Sequence, residues 1–129
     1  MTICSYTVDI PAPHPTQLMN ANHRKHPMAR ARETKAWRSA AGWRIRAAKI
    51  PPLPGMVHIT CHVHLPTARA YDAGNYYPTA KAAVDAATDV RVLPDGDDNA
   101  HVTGPDMRQG EPWPYGGITL TFTPREMPA

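Results

Sequence analysis

Cysteine, aromatic side chains and long apolar runs are all scarce in this chain, and each shortage excludes something. Cys4 and Cys61 are the only cysteines. Two thiols so far apart suggest neither a disulfide framework nor a zinc cluster, so a reduced cytoplasm is the expected setting. No stretch approaches the ~18 consecutive apolar residues of a bilayer-spanning helix. The opening MTICSYTVDIPAP has no basic leader before an apolar core, so no secretory signal is expected. Aromatics make up 7% of the 129 residues, against fifteen prolines, which suggests a small core with many irregular connections. The length suits one domain over 1–129.

Acidic residues are scarce in one half only. Residues 1–71 carry ten Lys/Arg and two Asp/Glu, a balance of +8. Residues 72–129 carry four and nine, a balance of −5, and the two add to the net +3. A basic half invites a polyanion, and an acidic half suits divalent cations. The plainer alternative is that the halves attract each other, or a second copy.

The periodicities predict six elements. ICSYTVDI reads as a strand ended by prolines, followed by a loop over 11–27. A helix is expected from about Ala29 to Lys49. Ala36, Trp37, Ala40, Trp43, Ala47 and Ile50 form its apolar side, with Trp37 and Trp43 as core or dimer contacts rather than base-stacking platforms. MVHITCHVHL alternates strictly: Val57, Ile59, Cys61, Val63 and Leu65 face one way, and His58, Thr60, His62 and His64 the other. A second helix should start near Tyr77 with Pro78 in its first turn. Ala80, Ala83, Val84 and Ala87 make its apolar stripe. AHVTG is a short strand, 105–117 a loop and ITLTFTP a last strand. The expected fold is α+β, a mixed four-stranded sheet with two helices on one face.

The polar residues around the second helix carry the chemistry. Asp72 precedes it, and Asp97 and Asp98 follow it. If these carboxylates meet, the site is hard and oxygen-rich, as Mg²⁺ prefers, and a bound ion could activate water and polarise a phosphoryl oxygen. Lys81 could then contact the scissile phosphate, and Asn75 could fix the Asp72 loop. The plainer reading makes Asp72 or Asn75 a cap or turn residue, Lys81–Asp85 a surface ion pair and DGDD a solvated turn. Asp95, Asp97, Asn99 and Asp106 match positions of a calcium loop, but Ala100 stands where glycine is needed. His58, His62 and His64 on one strand face could bind zinc, yet no cysteine or carboxylate lies at matching spacing, so a solvent- or DNA-facing edge is expected. Arg30, Arg38, Arg44 and Arg46 give the first helix a face suited to a phosphate backbone.

The order of elements, with YTVDIPAP, ITCHVHLP, RAYDAGN, PTAKAAVDAATD and VLPDGDDNAHV, resembles the RusA-type Holliday junction resolvases, in particular the phage and prophage versions of actinobacteria. The resemblance runs over roughly residues 5–123. It implies a homodimer that binds four-way DNA junctions and cuts two opposed strands symmetrically, in recombination and repair, with Mg²⁺ or Mn²⁺ held by aspartates. Asp72 falls on the first catalytic aspartate, Asn75 on the asparagine closing that motif, Lys81 on the helix lysine and Asp85 on the aspartate one turn later. Asp97–Asp98 falls on a pair of which one is catalytic, with Asp98 preferred. Arg24, Lys25, Arg30, Arg38, Arg44, Arg46 and Arg69 would hold DNA. The sequence departs at Gly74, which stands where a second carboxylate is usual. Three extra residues also separate Asn75 from Lys81, and DGDDN carries one more. The alternative that follows from Gly74 is a junction-binding protein with weak or no cleavage.

Overall fold

The structure, a computed structural model, describes residues 4–125. Its elements are β1 (Tyr6–Pro11), α1 (Pro27–Ala47), β2 (Val57–His64), a short 3₁₀ turn (Ala73–Tyr76), α2 (Tyr77–Asp89), β3 (Val102–Gln109) and β4 (Gly117–Pro124). Ile3, expected to open the first strand, lies outside the described residues. The four strands form one mixed sheet in the order β1-β4-β2-β3. β4 is antiparallel to both β1 and β2, whereas β3 runs parallel to β2. The parallel pair is what the intervening α2 makes possible, because a parallel partner needs a crossover rather than a hairpin. The protein is therefore α+β, in one compact domain.

The alternation read in β2 is realised as burial. Val57, Ile59, Cys61 and Val63 are fully buried and Leu65 nearly so, while His58, Thr60 and His62 are only half-buried. They pack with Ile118, Leu120 and Phe122 of β4 under the two helices. α2 contributes little more than methyl groups to this core. Ala80, Ala82, Ala83, Val84, Ala86 and Ala87 are all buried, a wider stripe than the narrow one expected. Such short side chains let its backbone lie close to sheet and helix together, leaving Lys81 exposed and Asp85 half-exposed on its open side.

α1 differs from expectation in which residues it buries. Trp37, Ala41 and Ile45, at i, i+4 and i+8, are its buried residues, whereas Trp43 is 69% exposed. The helix also starts earlier, at Pro27, where proline costs no hydrogen bond; the His26 ring nitrogen accepts from Met28 N–H as its cap. Arg44 and Arg46 occupy its last turn, where cations favour the helix dipole.

The stretch 105–117, expected to be loop, begins as strand. β3 runs on to Gln109, and its pairing with β2 shifts register between His58 and Thr60. Local alternation is weak there because the strand is half-exposed along most of its length, and its edge position is set by β2 rather than by its own pattern.

Candidate functional site

The turn after α2 decides where the acidic residues go. Arg91 takes a left-handed conformation just past the helix end, φ 68°. Val92 and Leu93 N–H groups both bond back to the Ala87 carbonyl, at 3.0 and 3.2 Å. Their buried side chains then fold the chain back over the helix, and Gly96, at φ 95°, completes the reversal with a bond to the Leu93 carbonyl. A side chain at Gly96 would be strained by its backbone alone.

This reversal delivers Asp97 to Lys81. The Lys81 Nζ donates to Asp97 Oδ2 at 2.9 Å and to Asp85 Oδ1 at 2.8 Å. Asp85 and Asp97 thus share one ammonium although they come from different segments. Hydrogen bonds from Lys81, then the neighbouring Asp85 carboxyl, hold Asp97 below its ordinary 3.8. Lys81 is correspondingly raised, through Asp85 first and Asp97 second.

The other nominated acids are elsewhere engaged. Asp72 accepts from Gly74 N–H at 2.9 Å and so caps the 3₁₀ turn, the plainer of its two readings. Asn75 helps through its backbone: its N–H bonds the Asp72 carbonyl and its carbonyl accepts from Ala21 N–H. Asp98 turns to His101 Nδ1 at 2.7 Å and to Ala100 N–H at 2.9 Å, and these partners, His101 first, lower its pKa. The preference for Asp98 over Asp97 is therefore reversed with respect to Lys81.

Among the described residues, no group of three or more His, Cys, Asp or Glu side chains is placed to hold a metal ion. Asp72, Asp97 and Asp98 each have their own partner, and the ammonium of Lys81 already sits between the Asp85 and Asp97 carboxylates, offsetting one of their two charges. This donor set does not fit the Mg²⁺ or Mn²⁺ site that the resemblance implies. The calcium spacing fails similarly, since Asp95 accepts from Gly55 N–H while Asp106 sits in β3 against Arg108. The histidines of β2 form no such group either, since both ring nitrogens of His64 are taken up within the fold.

His64 corrects the expectation of an open histidine face. It is 5% exposed, stacked on Trp113 with centroids 3.7 Å apart. Its Nδ1 meets the Glu111 carbonyl at 2.7 Å and its Nε2 meets Thr119 Oγ1 at 2.8 Å, with Asp9 accepting from Thr119 beyond. Trp113, in the proline-rich loop, is what covers it, and no pattern within β2 could reveal that.

The basic residues divide into two kinds. Arg30 is structural: its guanidinium holds the carbonyls of Asn20 and His23, both at 3.1 Å. Lys25 pairs with Glu33 at 3.0 Å, and Arg38 forms a two-pronged pair with Asp89 at 2.6 and 2.7 Å. Arg38 is raised by Asp89 first and, more weakly, by Asp85 and Asp97, so the acidic cluster lies beside the basic helix. To that extent the two charge halves do meet each other. Arg32, Lys35, Arg44 and Arg46 stay exposed on α1, with no ion-pair partner among the described residues, and Arg24 and Arg69 are exposed in loops. No protein-family model matches the chain, and no curated protein matches it.

Proposed function

We propose that this protein binds branched DNA through the basic face of α1, reading the backbone rather than the bases. The observation that carries the proposal is the set of exposed, unneutralised cations on one face of α1, Arg32, Lys35 and Arg46; Arg44 is exposed on the opposite flank of the helix. The only acidic residue on α1, Glu33, is taken up by Lys25. Phosphate contacts of this kind position a protein without reading sequence. The choice of four-way junctions, and of a homodimer as the binding form, rests on the resemblance in sequence. Arg30 and Arg38 serve the fold first, so they contribute less to binding than Arg32 and Arg46.

Cleavage is the second reading, and one feature favours it. Asp97 and Lys81, sixteen residues apart, meet beside Asp85, next to the helix that would hold the backbone. Lys81 would be drawn toward a phosphate placed there, releasing two carboxylates.

A labelled four-way junction, titrated with protein at fixed salt and then with Mg²⁺, tests both readings. Binding without cleavage gives a shifted band and no product. An endonuclease gives paired symmetric nicks that Asp97→Asn removes. Affinity should fall steeply with salt, log K against log salt having a slope of about −0.9 per phosphate neutralised. Removal of Arg32 and Arg46 together should flatten that slope by about 2. A salt-independent affinity would refute the proposal.

A further inference from the structure

Trp43 is one of four large apolar side chains that stand exposed among the described residues, with Met28, Tyr77 and Tyr115. An indole 69% exposed near the C-terminal end of a well-formed helix forgoes most of the apolar burial its side chain offers. It borders an open groove of about 320 Å³ between α1 and the end of α2. Lys35, Arg38, Trp43 and Arg46 line it from α1, and Asp89 and Val90 from the end of α2. The Arg46 guanidinium lies 6.0 Å from the indole centroid, at the outer edge of cation–π range.

The charges choose the occupant. Asp89 is the one acid of the groove and is consumed by both prongs of Arg38. What is left is cationic, so a second copy docked face to face would set Lys35 and Arg46 against their own counterparts. An anionic partner is favoured, and the exposed indole calls for a planar π-face. Duplex DNA hides its base faces in the stack. A single strand offers both features: phosphates for Lys35 and Arg46, and a free base for Trp43. Lys35 and Arg46 are eleven residues apart, about 16 Å along the helix. That is room for roughly four or five nucleotides, the lower end of known single-strand site sizes.

We infer that the α1 groove binds single-stranded nucleic acid, stacking an unpaired base on Trp43 while Lys35 and Arg46 hold the flanking phosphates. The inference rests on the nucleic-acid part of the proposed function and adds a subsite for unpaired bases at a branch point or end.

The test uses the intact chain, an oligothymidylate, and an abasic oligomer of the same length and charge, with a fully paired four-way junction in parallel. The expected result is quenching of Trp43 fluorescence by the oligothymidylate and about tenfold tighter binding than the abasic strand, the size of one base–aromatic stack. Trp43→Ala should erase that difference, with the thermal midpoint and junction affinity nearly unchanged. Trp43→Phe should keep part of the difference and lose the quenching. Equal binding of the two oligomers by the wild-type chain, or an unchanged preference in Trp43→Ala, overturns the inference. If junction binding persists in that case, the proposed function survives alone. If the wild-type chain binds neither oligomer nor junction, both are overturned.

Discussion

Replacing Lys81 with methionine separates the two roles that residue can play, counter-ion and phosphate ligand. The Lys81 Nζ lies 2.8 Å from Asp85 Oδ1 and 2.9 Å from Asp97 Oδ2, so those oxygens are at most the sum of these distances, 5.7 Å, apart. Two full charges at that separation repel by about 0.7 kcal/mol at the dielectric of water and about 3 kcal/mol at an effective value of 20. The lysine side chain is 47% exposed and the carboxylates 27% and 26%, so screening puts the cost toward the lower figure. With the two lost ion pairs, the expected destabilisation is about 1–1.5 kcal/mol at neutral pH, or roughly 3–6 °C in the thermal midpoint. The sign with pH follows from the shifts. Asp97 is lowered below 3.8, so its contribution is present above that value and fades as pH falls through the depressed pKa. Lys81 is raised above 10.5, so its contribution is present below that value and fades as pH rises through the raised pKa. The gap between wild type and variant should therefore be widest in the neutral range and close toward both extremes.

Divalent cations sharpen the same experiment. With the ammonium gone, two adjacent carboxylates face solvent, about the number through which Mg²⁺ is usually held. Millimolar MgCl₂ should restore most of the variant's loss in a urea or thermal unfolding curve, while NaCl of equal ionic strength restores little. Wild type should gain much less from MgCl₂. A pH-independent loss, or equal Mg²⁺ stabilisation of both proteins, would refute the assignment of Lys81 as the cation that occupies this carboxylate pair.

Three further outcomes are expected. A side chain at Gly74 starts with its Cβ 3.2 Å from Asp72 Oδ1, so Gly74→Asp should need only a small shift of Asp72. It should bring a second carboxylate there, seen as Mg²⁺-dependent stabilisation in a thermal melt that wild type lacks. Burial pushes the Cys61 thiol from 9.0 up to about 12. Under native conditions a disulfide reagent should therefore label Cys4 alone, with Cys61 reacting only after urea. Above pH 9 the unfolded thiol ionises while the folded one does not, so wild type should lose stability there faster than Cys61→Val. Finally, His64→Ala leaves the Glu111 carbonyl without its partner, costs Thr119 one of its two bonds and removes the stack on Trp113, for an expected loss of about 2–4 kcal/mol in urea unfolding. A loss below about 1 kcal/mol would mean those bonds are replaced by water.

Local pattern made most of the fold legible. The alternation in MVHITCHVHL is visible because one face of β2 is packed and the other is not. Pro51 and Pro52 mark where the first helical stretch must be over, since neither can donate a helix hydrogen bond; the helix ends at Ala47, short of the expected Lys49, which is left-handed at φ 55°. The methyl-rich stripe of α2 announces a helix lying close to its neighbours. Trp37 and Trp43 show the limit. Both fit a loose three- and four-residue periodicity, but only packing against the sheet and α2 selects the Trp37–Ala41–Ile45 line and leaves Trp43 outside.

The sequence by itself determined the α+β class, the three strands with strong or end-of-chain patterns, and the segregation of charge, because these depend on side-chain chemistry and neighbours in the chain. Tertiary structure alone decided that Asp97 rather than Asp98 reaches Lys81, since that turns on a left-handed Arg91, a left-handed Gly96 and two buried side chains between them. It also decided that Arg38 is spent on Asp89 and that Trp113 closes over His64. Partners 51 and 49 positions apart are chosen by how helices and loops pack, and no local spacing encodes them.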